Sequence, residues 1–135
     1  METDVKQALV LFAHGARAAA WAAPFERLRE LTQARLPGTG VHLAFLELMT
    51  PRLPELVQGL LDGLPAGALL DVTVVPVFLG QGGHVLRDLP VLVEELRQRH
   101  PQLRLKVVEA VGENASVLAA IADYCVAAPG SSNTP

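Results

Sequence analysis

Four short apolar runs alternate with four longer segments whose large apolar residues recur at helical spacing, and this alternation restricts the chain to very few architectures. ALVLFA (8–13) and VHLAFL (41–46) read as buried strands. Residues 69–79 are rich in the β-branched Val72, Thr73, Val74, Val75 and Val77, and LRLKVV (103–108) alternates apolar and charged as an edge strand does. Between them, Ala18 to Leu36 carries Trp21, Phe25, Leu28 and Leu31 on one helical stripe, ended by Pro37-Gly38. A second helix is expected with Thr50 as N-cap and Pro51 in the first position, carrying Leu53, Leu56, Val57, Leu60 and Leu61. A third carries Leu89, Leu92, Val93 and Leu96 and stops at His100-Pro101. A fourth runs from Glu113 to Val126 with Val117, Leu118, Ile121 and Cys125 inward. The order βαβαβαβα predicts one α/β domain, a four-stranded parallel sheet with right-handed crossovers and helices on both faces. The expected bounds are an N-terminal extension over 1–7, the domain over 8–127 and a disordered tail over 128–135.

Composition removes several function classes. With 135 residues there is room for one core, and 50% hydrophobic content excludes a disordered chain. The 11 basic and 14 acidic residues sum to −3, without the basic face that nucleic-acid binding demands. No apolar run approaches the roughly 18 residues of a membrane span, so neither nucleic acid nor membrane is an expected partner. METDVKQ lacks the basic-then-apolar layout of a signal peptide, and the single cysteine, Cys125, fits a reducing compartment, so a cytoplasmic location is expected.

In open parallel sheets ligands bind beyond the carboxyl ends of the strands. His14 follows the first strand directly, Glu47 follows the second, and His84 lies in the glycine loop GQGGH after the third. His42 falls inside a strand and His100 ends a helix. Taken singly, a loop histidine is most often solvated or capping, and Glu47 alone reads as a surface carboxylate. Together, two neutral imidazoles and a carboxylate suit a borderline divalent metal such as Co2+, Fe2+, Ni2+ or Zn2+ in an open site. Asp88, four residues after His84, is placed either to orient that imidazole or to cap the third helix. The loop lacks the GxGxxG and GxxxxGK[ST] spacings of phosphate cradles, so Gly82 and Gly83 read instead as allowing positive φ or close backbone approach beside a bulky ligand.

LFAHGAR (11–17), AFLELMTPRLPEL (44–56) and VPVFLGQGGHVLRDLP (75–90) resemble, in order and spacing, the short sirohydrochlorin chelatases of the CbiX/SirB type, a class II tetrapyrrole chelatase family. The resemblance extends over residues 8–127. It implies a chelatase-like α/β fold and insertion of a divalent metal, Co2+ favoured and Fe2+ next, into sirohydrochlorin for cobalamin or siroheme synthesis. Nickel belongs to a related route. It implies that His14 and His84 hold the incoming metal and assist loss of the pyrrole protons, that Glu47 assists metal handling, and that no organic cofactor takes part. One departure is Ala16, where the family usually has Ser. The chain holds one lobe where related chelatases clasp the macrocycle between two, which points to a homodimer.

The chemistry fits these residue types. A neutral histidine, with an ordinary pKa of about 6.5, can replace a metal-bound water or accept a proton at physiological pH. Arg17, Arg52 and Arg87 fall just beyond strand ends, where they could pair with the carboxylates of sirohydrochlorin. A histidine phosphatase would need an arginine before His14-Gly15, and Ala13 stands there. A non-catalytic metal or tetrapyrrole carrier would use the same fold and ligands. In a purely structural domain the histidines would be incidental.

Overall fold

The computed structural model describes residues 4–80 and 82–130; Gln81 and the side chains of His84 and Leu86 lie outside that description. The elements are β1 (Val5–Ala13), a 3-10 turn (Ala19–Ala22), α1 (Ala23–Arg35), β2 (Gly40–Phe45), α2 (Leu53–Asp62), β3 (Leu69–Pro76), α3 (Gly83–Arg99), β4 (Leu103–Val107), a second 3-10 turn (Val111–Glu113), α4 (Ala115–Ala127) and a third 3-10 turn (Ala128–Gly130). All ladders are parallel and the strands lie in the order β2-β1-β3-β4. The α/β class, the parallel four-stranded sheet and the element order are those expected.

The boundaries moved where tertiary contacts overrode local signals. β1 begins at Val5 because Val5, Lys6 and Gln7 continue the register opposite Leu69, Leu70 and Asp71. Thr50 does not cap α2 and Pro51 does not open it. Phe45 N–H donates to Pro51 C=O at 2.9 Å and Phe45 bridges to Arg52, so residues 51–52 run beside β2 and Arg52 becomes the N-cap. The Thr50–Pro51 peptide is cis. α4 starts at Ala115, where the Asn114 side chain accepts the Val117 N–H at 3.1 Å. Of the expected disordered tail, residues 131–135 lie outside the described set and Ala128–Gly130 form a 3-10 turn.

The core is concentrated on one face of the sheet. Val10, Phe12, Leu70, Val72 and Val74 pack beneath Leu53, Val57 and Leu61 of α2 and Val85, Leu89, Val93 and Leu96 of α3. α1 follows β1 through a right-handed crossover in the opposite direction, which carries it to the other face. The expectation that Trp21, Phe25, Leu28 and Leu31 form a core stripe fails: α1 buries no residue, Trp21 is 43% exposed and Leu31 56% exposed. α4 likewise buries none of its residues, and Cys125, expected inward, is exposed.

The two outer strands are partly covered by helix side chains, β2 near its start and β4 at its centre. Gln33 Oε1 accepts the Val41 N–H at 2.9 Å, and Arg29 Nη1 donates to Val41 C=O at 3.4 Å. On the far side, the Arg97 guanidinium donates twice to Leu105 C=O.

At the carboxyl edge two loops touch backbone to backbone. A Cβ at Gly15 would overlap the Glu47 carbonyl oxygen and would lie 3.1 Å from Met49 N. Gly112 meets the backbone of Leu79 in the same way, its N–H donating to Phe78 C=O at 2.9 Å. Only a residue without a side chain fits either position.

Gly15→Ala should therefore destabilise the fold by about 1–3 kcal/mol in urea unfolding, whereas Gly38→Ala, with nothing within 4 Å, should change it little. A second expectation concerns His42, half-buried on β2. Burial, then the charges of Lys6 and Arg29, hold its imidazole below the ordinary 6.5. The unfolded chain thus takes up this proton first, and stability falls as pH drops from the unfolded value toward the lower folded one. Between about pH 7 and about pH 5, His42→Gln should lose less stability than wild type in parallel urea titrations.

Candidate functional site

With strand order β2-β1-β3-β4, the crossover leaving β1 runs to β2 and the one leaving β3 runs the opposite way to β4, so the crevice between β1 and β3 is the switch point at which such sheets bind ligands. Two of the side chains singled out in the sequence, His14 and Glu47, meet at the end of β1 beside it. His14 is the first residue after β1, and Glu47 is two residues past β2. His14 Nδ1 and Glu47 Oε1 are 3.2 Å apart, with the two side chains 40% and 39% exposed. The loops stay in register because Leu46 N–H donates to Ala13 C=O at 2.8 Å and Gly15 lies against the Glu47 carbonyl.

The chain then turns sharply. Leu48 adopts φ 66, and Met49 N–H donates to Glu47 C=O at 2.8 Å. A left-handed conformation costs a leucine about 1–2 kcal/mol, and such strain persists where surrounding contacts over-determine it.

The His14–Glu47 contact has a chemical consequence. With Glu47 ionised, its oxygen accepts from Nδ1–H, which fixes the tautomer and leaves the Nε2 lone pair as acceptor or ligand. The second carboxylate oxygen, Oε2, is buried and has no hydrogen-bond partner among the described residues. An unpartnered carboxylate oxygen beside an imidazole suits a cation or an N–H donor.

Two further residues complete the described site, and neither was identified as functional from the sequence. The His14 ring packs against Phe78, with centroids 4.6 Å apart and planes at 38°. Phe78 follows β3, is buried, and meets Phe12 edge-to-face at 6.0 Å, so the imidazole rests on the core itself. Trp21 Nε1–H donates to His14 C=O at 2.7 Å, and its ring tilts against Phe25 at 5.5 Å. A signal for Phe78 existed in the placement of an aromatic at a strand end between two glycine-flanked loops. Trp21 gave a misleading one, because its spacing to Phe25 and Leu28 matches a core stripe.

His84 is placed otherwise than expected: it lies in the first turn of α3, not in a loop, and its side chain is outside the described set. Asp88 falls one turn later in the same helix and does not cap it, since Gly82 is the N-cap. Gly82 and Gly83 have neither positive φ nor crowded Cβ positions, which removes the conformational reason given for them. Arg17, in the loop after β1, Arg52, at the start of α2, and Arg87, in α3, are all exposed. His42 and His100 stay away from this edge, as their positions in the sequence required. Among the described residues no group of three or more His, Cys, Asp or Glu forms a metal cluster, and none of the described helices is long and apolar enough to cross a membrane.

Both the sequence and the fold are similar to those of known proteins. The chain is 32% identical over 94 residues to the sirohydrochlorin cobaltochelatase of Methanocaldococcus jannaschii, covering 70% of this chain and 63% of that protein. It is 33% identical over 87 residues to the sirohydrochlorin cobaltochelatase of Methanococcus maripaludis, covering 64% and 58%. The chain thus spans about three-fifths of the length of the curated relatives it matches. Among solved structures, a CbiX protein from Marinobacter aquaeolei VT8 superposes with TM-score 0.74 at 29% identity, covering 92% of this chain and 98% of the other. The sirohydrochlorin chelatase SirB from Bacillus subtilis subspecies spizizenii, in complex with cobalt, shares the fold with TM-score 0.70 at 22% identity, covering 90% of this chain but 50% of that one. The CbiX family model matches residues 8–127, and the chain belongs to the CbiX family.

Proposed function

We propose that this chain is a sirohydrochlorin chelatase that inserts a divalent metal, Co2+ in preference to Fe2+, into the tetrapyrrole macrocycle. The observation that carries the reading is the His14–Glu47 pair at the switch point, held at 3.2 Å through Nδ1, with the second carboxylate oxygen buried and unpartnered among the described residues. Both curated relatives are named sirohydrochlorin cobaltochelatase, which supports the substrate and the preferred metal.

Insertion exchanges two pyrrole N–H protons for one divalent cation, so the site must shed metal-bound waters and take up two protons. His14 Nε2 replaces a water on the metal and, once the metal has passed to the ring, its freed lone pair accepts one pyrrole proton, the other being assigned to His84. Glu47 holds the ring by Nδ1 and compensates the charge when the imidazole becomes cationic. Its Oε2 supplies a further oxygen toward the metal or a pyrrole N–H. The backbone of residue 84, at the start of α3, lies at the same edge of the sheet, and we assign its histidine as the second metal-handling residue. Arg17, Arg52 and Arg87 pair with the carboxylates on the ring periphery, and the open backbone at Gly82 and Gly83 lets the macrocycle approach closely.

The same reading includes a homodimer. α4 is apolar on all sides, with Asp123 its one charged residue, and leaves Leu118, Ile121, Tyr124 and Val126 exposed, Tyr124 to 79%. A helix of that composition belongs inside a core or an interface. It has no basic residue to hold it at an anionic membrane surface, so a second copy of the chain is the occupant we assign.

Under anaerobic conditions, absorbance should report Co2+ insertion into sirohydrochlorin well above the protein-free rate. His14→Ala should lower it about a hundredfold or more, and Glu47→Gln by about 10–100-fold. A wild-type rate equal to the protein-free rate with both Co2+ and Fe2+ would refute the enzyme, and stoichiometric binding without turnover would leave a carrier. In sedimentation velocity the wild type should run as a dimer and Ile121→Asp as a monomer; a monomeric wild type would remove the second copy.

A further inference from the structure

Trp21 is the chain's one tryptophan, and it is placed against the usual habit of that residue. An indole at a protein surface ordinarily buries its apolar body and turns its N–H to water or to a polar rim. Here the N–H is bonded back to the chain itself, to the carbonyl of His14 at 2.7 Å, and the residue remains 43% exposed. Phe25, in the first turn of α1, supports the ring from one side at 5.5 Å. The indole is therefore held at two points and remains partly exposed next to the His14 backbone.

Its surroundings are equally unusual. Residues 18–23 read AAAWAA, so the only side chain of any height between Arg17 and Pro24 is the indole itself. All of these residues are exposed except the partly buried Ala22. A collar of exposed alanines around one pinned aromatic makes a low, apolar shelf of the kind that marks a binding surface. No long or charged side chain rises from it to interrupt contact with a flat ligand, and Arg17 stands at its border.

We infer that this shelf is the floor on which the ligand's conjugated ring lies, and that Trp21 is a substrate-contacting residue that stacks on the face of the macrocycle next to His14. The inference rests on the proposed function and adds to it where the ring sits: over the 3-10 turn Ala19–Ala22. Stacking there sets the height of the ring above His14 Nε2. Because the same indole grips the His14 carbonyl, ring binding and imidazole position are mechanically tied.

The test uses two variants that both lack the indole N–H and differ in whether an aromatic face remains. Binding of metal-free sirohydrochlorin is measured by absorbance titration under nitrogen for wild type, Trp21→Phe and Trp21→Leu, with thermal unfolding of each. Trp21→Phe should bind close to wild type, and Trp21→Leu about tenfold more weakly, since aromatic stacking contributes on this scale. Equal binding by the two variants, whether strong or weak, would overturn the inference, because the aromatic face would then make no difference. Weak binding by both would assign Trp21 to positioning His14 alone. Absence of binding by wild type would instead bring down the proposed function.

Discussion

The carboxyl edge of this sheet depends on one close approach. The loop leaving β1 meets the loop leaving β2 with no side chain between them, Gly15 lying against the carbonyl of Glu47. Everything functional in the described site is referenced to that contact. It sets the separation of His14 and Glu47, it forces the tight reversal through Leu48, and it leaves the imidazole nowhere to go but across the ring of Phe78. The histidine is followed by glycine for a steric reason that has nothing to do with metal: any Cβ would push apart the two strands' loops and with them the two side chains.

The site is thereby coupled to the core more tightly than a loop histidine usually is. Phe12 and Phe78 form an aromatic chain of contacts from the carboxyl end of β1 to the imidazole. A ring stacked on a buried ring has few rotamers open to it, and its Nδ1 is claimed by a carboxylate. Outside that chain of contacts lies the segment from Arg17 to Ala22, tied to it by the Trp21 N–H on the His14 carbonyl.

Much of this was legible in the residues. The four strands and their parallel order followed from apolar runs alternating with helical spacing, and His14 and Glu47 followed from asking which polar residues succeed strands. The failures share a physical cause. Periodicity reports that a helix has an apolar face but not what covers it, so Trp21, Leu31, Leu118 and Ile121 were read as core when the chain's own core closes over α2 and α3 instead. The start of α2 was misread because the bonds of Phe45 to residues 51 and 52 are non-local, and no capping preference at Thr50 competes with them. Gly15 stood in plain view in the sequence, yet its reason lies in a residue 32 positions away.

The coverage of the two outer strands has a bearing on how copies of this chain can meet. A parallel sheet with bare edges invites neighbours to extend it strand by strand, which leads to open-ended growth. Here Gln33 and Arg29 occupy the backbone of Val41 near the start of β2, and Arg97 occupies that of Leu105 in the middle of β4. Main-chain pairing with another copy at either border would first have to displace these side chains, so the chain's own helices act as guards on its sheet.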